Sequence, residues 1–385
     1  ENKLALFSPK NSKNKEQLTA SEVTRWLLTF QGYSGLSDKV IFGKEKYKVS
    51  KGWLFDIGAV FIQGTSLFET LLLNCILPFY DHGNLESIQC PCWEFASSDN
   101  INRYLFGSEC TDLANLYTIW SRGIYIDPEY DLNKPFSFEI VKLPEINHRD
   151  NFLEPMSTWK YNTTGENKDS YTPRKHPLNQ SLWRSFGLLA VEDRTGHFRK
   201  PGIIDWLGDI GDIIGNRLFN IISISMQDDG NATSWLPTDE VIDSILINDL
   251  VLADFNESGW VPRINEVVEE TKTVISKVYK RYIEDLKEIR NISNNNYTNQ
   301  MVEMLYFKID HPFREWLSSI LPDDEKDPKI KEWRDLLKKM VKAEAKSILG
   351  QGGTRDYLGT EKDGRIKNIA TAYNSFEYLL HQQLK

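Results

Sequence analysis

The last third of the chain has the clearest pattern of hydrophobic and polar positions. Apolar residues recur every three to four positions along four stretches, at 264–289, 302–320, 330–348 and 366–380. This is the spacing of helices that bury one apolar face. Asparagine-rich, proline-containing and glycine-rich segments separate the stretches, as turns between helices do. The pattern predicts a C-terminal four-helix bundle at residues 258–385.

The first 257 residues follow no single period and show no internal repeat. Their pattern predicts helices at 18–31, 67–77 and 180–189 and strands at 136–143 and 246–252. Turn-forming residues at 254–262 end this part of the chain. We therefore expect an α+β protein, with a mixed α/β N-terminal domain at 1–257 followed by the helical bundle.

Composition favours a globular protein outside the membrane. The chain has 385 residues, of which 40% are hydrophobic and 12% aromatic, enough for a sizeable core. Its most apolar run, 67–80, contains Glu69 and Pro78 and is too short to cross a bilayer, so we expect a buried helix there. Four scattered cysteines are too few for a disulfide scaffold and indicate a reducing cytoplasm. Because the first residue is Glu1 and not Met, we expect that a leading portion is missing.

Familiar catalytic signatures are absent from the sequence. There is no Gly-X-Ser-X-Gly, His-Glu-X-X-His or Walker motif, and the six histidines lie far apart. Asp205, Asp209 and Asp212 would share one helix face and could hold a divalent metal in a nuclease. A solvated acidic face is the commoner reason for such spacing. We therefore expect no enzyme activity, no metal site and no cofactor.

A lysine-rich loop stands out from an acidic chain. The formal net charge is −9, which argues against a protein that coats nucleic acid indiscriminately. Residues 39–52 nevertheless hold five lysines against one glutamate. The alternating Lys44, Lys46 and Lys48 could meet successive phosphates, with Tyr47 available for stacking and Gly52 permitting close backbone approach. The same lysines could instead protect a solvated strand edge, and the residues alone leave both interpretations open.

Several segments, in the same order, resemble the CasA family, the large subunit of the type I-E CRISPR Cascade surveillance complex. They are Leu6 to Lys10, Arg25 to Leu28, Lys51 to Leu54, Phe68 to Leu71, Pro91 to Trp93, Leu116 to Gly123, Glu154 to Trp159, Pro173 to His176 and Leu182 to Arg184. The resemblance covers nearly the whole chain, and by comparison with the family we expect the family's N-terminal portion to be missing from this sequence.

The resemblance implies a non-catalytic, cytoplasmic subunit that binds double-stranded target DNA, recognises the protospacer-adjacent motif and helps to open the duplex. Its implied partners are guide RNA, the other Cascade subunits and the CRISPR helicase-nuclease, which docks on it. This division of labour is general in RNA-guided recognition. A protein-interaction scaffold, built on the helical bundle and without direct DNA contact, is the alternative.

The family contacts its motif with a glycine-bearing loop, a lysine finger and a glutamine-bearing wedge. By resemblance, the loop falls on the segment ending at Lys51 and Gly52, which here is rich in lysine. The finger falls on 151–160, where Lys160 is the only lysine, and the wedge falls on 226–235. The residues expected to bind DNA are Lys44, Lys46, Lys48, Lys51, Gly52, Lys160, Gln227, Asn231 and Thr233.

Overall fold

The computed structural model describes most of the chain from Lys10 to Lys385 and divides it into two compact units. The residues outside the description are 1–9, 12, 36–39, 44–46, 48, 50, 77–88, 107–109, 111, 132, 194, 232–234 and 363, with the side chains of 212, 362 and 365. The N-terminal unit consists of Glu1–Gln180, Glu192–Trp206 and Ile222–Ser244. The helical unit consists of Ser181–Val191, Leu207–Ile221 and Ile245–Lys385. The domain boundary after residue 257 stays a prediction.

Helices occur throughout the described chain. In chain order they are α1 Ala20–Tyr33, α2 Trp53–Asp56, α3 Leu67–Leu73, α4 Ser97–Phe106, α5 Leu113–Thr118, α6 Phe186–Ala190, α7 Gly202–Ile214, α8 Asp249–Leu252, α9 Trp260–Thr273, α10 Lys280–Ile289, α11 Tyr297–Ser318, α12 Lys326–Gly350, α13 Thr354–Leu358 and α14 Ile369–Gln383. Short 3-10 turns lie at Cys92–Glu94 and Leu182–Ser185, and a π-helical turn at Val274–Tyr279 continues α9 into α10.

The strands form small, separate sheets. They are β1 Gly58–Gln63, β2 Arg122–Tyr125, β3 Glu139–Lys142, β4 Trp159–Asn162, β5 Ser170–Pro173, β6 Phe198–Arg199, β7 Leu218–Asp228, β8 Pro237–Asn248, β9 Thr360–Lys362 and β10 Arg365–Lys367. One three-stranded sheet has the order β1-β7-β8 and another the order β5-β4-β6, while β2 pairs with β3 and β9 with β10. In β4, Lys160 lies opposite Thr172 of β5 and Phe198 of β6.

The N-terminal unit is organised around an aromatic and aliphatic core. Its members include Trp53, Leu116, Ile146 and Trp159, which are almost completely buried. At the start of α1, the side chain of Thr19 accepts a hydrogen bond from the backbone of Glu22, whose carboxylate accepts one from the backbone N–H of Thr19. This reciprocal cap satisfies two amides that a helix start leaves unpaired, and it confirms the helix predicted at 18–31.

Two local predictions for the first 257 residues were wrong in part. Helix α3 forms, but Leu67 and Phe68 are 74% and 73% exposed, because this short helix buries only Leu73. The strand predicted at 246–252 ends at Asn248. The Asn248 side chain accepts hydrogen bonds from the backbone amides of Leu250 and Val251, and this cap starts α8 in place of further strand.

The C-terminal region is helical, as the periodic stretches predicted, and its apolar stripes form a core. Trp333 is fully buried, with its indole N–H 2.9 Å from the Thr271 hydroxyl. Phe313 meets it edge to face at 4.8 Å, and Trp183 stacks on Phe313 at 4.1 Å. That these helices make up a four-helix bundle stays our interpretation. None of the described helices combines the length and apolarity needed to cross a membrane.

Candidate nucleic-acid interface

A pocket of about 820 Å³ lies within the N-terminal unit and collects residues from four distant segments. Lys51 precedes α2 and Asp56 is the last residue of that helix, while residues 145–149 precede β4. The β4–β5 hairpin and the residues after it contribute Lys160, Arg174 and Lys175, while the β7–β8 hairpin contributes Asp228 and Trp235. The pocket therefore brings two predicted site residues, Lys51 and Lys160, together with Asp228 and Trp235 of the segment 226–235 on which the predicted wedge falls.

Lys51 is held in place by its neighbours. Its ammonium nitrogen lies 2.5 Å from Oδ1 of Asp56 and 4.7 Å from the ring centroid of Trp235, with Phe55 on another side at 5.0 Å. The side chain is only 19% exposed. An ammonium group engaged in this way is less open to a phosphate than a free one, because it would first have to leave its carboxylate.

Asp56 joins Lys51 to a histidine. Nδ1 of His148 lies 3.3 Å from Oδ2 of Asp56, and the Trp53 ring meets the imidazole edge to face at 4.8 Å. Burial raises the pKa of the Asp56 carboxyl, but hydrogen bonds and charge from His148 and Lys51 outweigh it and bring the pKa down to about 2. Asp56 is therefore a carboxylate near neutral pH and anchors both Lys51 and His148.

We expect Asp56→Asn to lower the free energy of unfolding near neutral pH by about 2 kcal/mol. A carboxyl whose pKa is lower in the folded chain stabilises it above the unfolded pKa of about 4. That contribution falls as the pH drops through the folded pKa of about 2. Denaturant unfolding between pH 2 and 7 should thus show a weaker acid dependence in the variant. Asp323→Asn, at an exposed carboxylate in the helical unit, is the control; equal acid dependence in wild type and Asp56→Asn would rule the anchor out.

Three cationic side chains of the pocket make no ion pair with any residue that the structure describes: Arg149, Lys160 and Arg174. Arg149 and Lys160 are exposed, whereas Arg174 is partly buried and burial lowers its pKa. The Arg174 backbone is fixed, because its N–H donates to Thr158 O at 2.9 Å and its carbonyl accepts from the Thr158 hydroxyl at 3.0 Å. These three groups keep their charge available to an anion.

The carboxylates of the pocket differ from one another in ion pairing and exposure. Asp228 pairs with Lys175 at 3.0 Å, and the Lys175 ammonium also lies 4.0 Å from the Phe55 ring. Glu145 and Glu166 are exposed. Asp56 and Asp228 are already paired with Lys51 and Lys175, so Arg149, Lys160 and Arg174 add positive charge to the pocket beyond these two ion pairs.

The β7–β8 hairpin carries the predicted wedge. Its loop is closed by hydrogen bonds from Asp229 N–H to Leu236 O at 3.0 Å and from Leu236 N–H to the Asp229 carboxylate at 3.1 Å. The Gln227 amide donates to the backbone oxygen of Asp228 at 3.3 Å, and Asn231 is exposed in the loop. Neither lines the pocket.

Among the other predicted residues, Gly52 is buried and caps α2. Lys44, Lys46, Lys48 and Thr233 lie outside the described residues. The Tyr47 hydroxyl donates to Lys142 O at 2.6 Å, which ties the lysine-rich loop to the end of β3.

Sequence reasoning missed Arg149, Trp235 and the anchoring role of Asp56. Arg149 was not singled out, and Arg174 lay within the segment Pro173 to His176 of the family resemblance without an assigned role. No local pattern distinguishes these residues from ordinary surface, because they meet only through the tertiary fold.

The aspartates considered for a nuclease lie on α7, the helix that their spacing required. Asp205 pairs with Lys200 at 2.6 Å, and the Asp212 side chain is outside the description. Within the described part of the chain, no three histidine, cysteine or carboxylate side chains are grouped to hold a metal ion.

The fold and the pocket define a two-unit α+β protein with a cation-lined recess beside a β hairpin. The family model of the CRISPR-associated protein Cse1 matches residues 1–343, and the chain belongs to this family. Among curated protein sequences, no significant match was found.

Solved structures of the family share the fold. Cse1 of Thermobifida fusca matches with a TM-score of 0.78 at 20% identity, over 96% of this chain and 72% of that one. Cse1 of Acidimicrobium ferrooxidans gives 0.70 at 18% identity, over 95% and 72%. A chain from a structure described as a CRISPR RNA-guided surveillance complex gives 0.63 at 15% identity, over 95% and 69%. These matches confirm the mixed helix and sheet fold with a helical C-terminal region.

Proposed function

We propose that this chain is the large subunit of a type I-E Cascade complex, that it binds double-stranded target DNA beside the protospacer-adjacent motif, and that it helps to open the duplex. Family membership supports the assignment to Cascade, and one similar chain belongs to a structure described as an RNA-guided surveillance complex. Guide RNA, the other Cascade subunits and the helicase-nuclease are the proposed partners.

The observation that carries the DNA contact is the set of cations without ion pairs in the pocket. Arg149, Lys160 and Arg174 face a recess in a chain whose formal net charge is −9. An acidic chain repels DNA overall, so its grip must be local. Guanidinium and ammonium groups without carboxylate partners are available to bind phosphates and to release counterions. The lysines at 44, 46 and 48 would extend this grip.

The proposed function needs no chemical step. Inserting a polar hairpin residue between base pairs costs a few kcal/mol of unstacking, and phosphate contacts made at the same time can offset that cost. Gln227 near the end of β7, and Asn231 and Thr233 after it, lie close in sequence to the pocket residues Asp228 and Trp235. We therefore assign the phosphate grip to the pocket, duplex entry to the hairpin, and no catalysis to either.

The double variant Arg149→Ala/Lys160→Ala tests this assignment in the reconstituted complex. We expect its affinity for a target duplex to fall about a hundredfold or more, since two charge-assisted hydrogen bonds are removed and each is worth roughly 1.5–3 kcal/mol. In a salt titration, the slope of log K against log salt should decrease in magnitude by about 2, because two side chains no longer neutralise a phosphate each. Fluorescence anisotropy with a labelled duplex measures both quantities.

The matched control is Lys331→Ala, an exposed lysine on α12 of the helical unit with no ion pair to a described residue. This variant should keep both the affinity and the slope. If the pocket variant also keeps them while the complex assembles normally, the pocket does not hold DNA.

The alternative of an interaction scaffold has one observation in its favour. Met304 and Phe307 lie three residues apart on α11 and are 50% and 84% exposed, a pairing typical of a protein contact. A scaffold without DNA contact predicts that Phe307→Ser weakens assembly with the other subunits, measured by size-exclusion chromatography, whereas the pocket variant leaves DNA affinity unchanged.

A further inference from the structure

Trp235 is the aromatic side chain that the β7–β8 hairpin contributes to the cationic pocket. It is partly buried, and the Lys51 ammonium lies 4.7 Å from its ring centroid. The phosphate contacts assigned to Arg149, Lys160 and Arg174 do not require an indole at this place. A large aromatic ring beside available cations is the combination with which proteins bind unpaired nucleotides, because every base has a face that can stack.

The backbone of Trp235 is held in an unusual conformation. Its φ is 44°, in the left-handed region that bulky side chains rarely adopt. The Trp235 N–H donates to Asn231 O at 2.8 Å, and the Asp229–Leu236 hydrogen bonds close the loop behind it. A strained conformation persists only when its surroundings determine it, and such positions concentrate at functional sites.

A chain of contacts fixes the position of the indole. Lys51 touches Trp235 and is anchored by Asp56 at 2.5 Å, and Asp56 is bound in turn by His148 at 3.3 Å. His148 packs against the buried Trp53. The indole thus rests on the core of the N-terminal unit through Lys51, so that little freedom is left to lose when a flat ligand stacks on it.

The dimensions and charges fit one nucleotide. The pocket volume of about 820 Å³ lies within the range that small-molecule sites have in proteins. Arg149, Lys160 and Arg174 line the same pocket and supply positive charge for the phosphates on either side of a base. In a closed duplex the base faces are covered by their neighbours, so a contact of this kind becomes possible only where a strand is unpaired.

We propose that Trp235 stacks on one unpaired base of the opened target, next to the adjacent motif, and that Lys51 is a positioning residue that holds the indole for this contact. The inference rests on the proposed function and adds to it. The cations would bind either state of the DNA, whereas Trp235 would stabilise the open state alone. By stacking on a base of the separated strand, Trp235 would slow the re-pairing of the duplex.

An abasic scan tests the proposal with the reconstituted complex and its guide RNA. Target duplexes carry a single abasic nucleotide at each of the first positions beside the motif, on either strand, and the affinity for each is measured. We expect one position at which removal of the base weakens binding by the wild-type complex about tenfold, the order of one base-aromatic stack. In the Trp235→Ala complex this position-specific effect should disappear, because the partner of the base is already gone.

Trp235→Phe should restore most of the position-specific effect, since a smaller ring still stacks, whereas Trp235→Leu should not. Lys51→Met should diminish the effect at the same position, without moving it elsewhere. The matched control is Trp93→Ala, an indole of the same unit that is 66% exposed and does not line the pocket. It should leave the abasic profile unchanged.

Two outcomes overturn the inference. Either the abasic profile of Trp235→Ala is the same as that of the wild type, or Trp235→Ala weakens binding to every duplex equally, with or without the base, as a purely structural role would. These outcomes are separate from a failure of the proposed function. If Arg149→Ala/Lys160→Ala lowers affinity and the abasic profile is independent of Trp235, the DNA site stands and only the stacking role is refuted.

Discussion

Replacing Trp333 with alanine is expected to lower the free energy of unfolding of the helical unit by about 4 kcal/mol, within the usual range for removing a buried aromatic side chain. Trp333 is completely buried, with Phe313 at 4.8 Å and Trp316 at 5.6 Å between ring centroids. The substitution leaves a cavity among packed helices. It also deprives the Thr271 hydroxyl of the indole N–H that donates to it at 2.9 Å.

Denaturant unfolding followed by far-ultraviolet circular dichroism measures this change in stability. Tyr378→Ala is the control, because this aromatic residue of α14 is 64% exposed, and its removal should change stability by less than about 0.5 kcal/mol. A decrease below about 1 kcal/mol for Trp333→Ala would mean that the helices repack easily and that the core is not closely packed.

Gly52→Ala is expected to destabilise the N-terminal unit by about 3 kcal/mol, at the upper end of the cost of overpacking. A Cβ atom at this position would overlap the carbonyl oxygen of Gly32 and lie 2.5 Å from that of Gln31. Both belong to the backbone of α1, which cannot turn aside as a side chain can. The Gly52 N–H also donates to Ser34 O at 2.9 Å, so that any shift strains this link as well.

Thermal unfolding of the whole chain, with and without the substitution, gives the measurement. Gly211→Ala in α7 is the matched control, because its added Cβ would meet no described atom within 4 Å beyond its chain neighbours and the nearby backbone of its own helix. Alanine there should be neutral or stabilise by up to about 1 kcal/mol. If Gly52→Ala kept its stability and weakened only DNA binding, the glycine would serve the DNA and not the packing of α1 against α2.

The sequence predicted the helical region well because its signal is local. Helix periodicity depends on residues three and four positions apart, and the stretches at 264–289 and 330–348 show it without interruption. The structure places α9, the π-helical turn and α10 along the first stretch and α12 along the second. The start of α1 was similarly predictable, since Thr19 and Glu22 are three residues apart and cap the helix together.

Local patterns failed where a tertiary contact decided the outcome. The apolar run at 67–80 predicted a buried helix, yet whether an apolar face is covered depends on what packs against it, and only Leu73 of α3 is covered. At 246–252 apolar residues continued past Asn248, but the side chain of that residue capped a helix. The hydrophobicity of a segment shows which side chains would gain from burial, but it does not show whether another element packs against them.

The chain by itself determined its helices, its α+β character and a family resemblance that the Cse1 family model bears out. Only the tertiary structure decided which basic side chains are available to bind an anion. Lys51 stood out in the sequence but is bound to Asp56, whereas Arg149 and Arg174 stood out little and make no ion pair with a described residue. Ion pairing and burial depend on distances in space, and the segments that meet in this pocket are separated by up to about half of the chain. No local pattern records such distances.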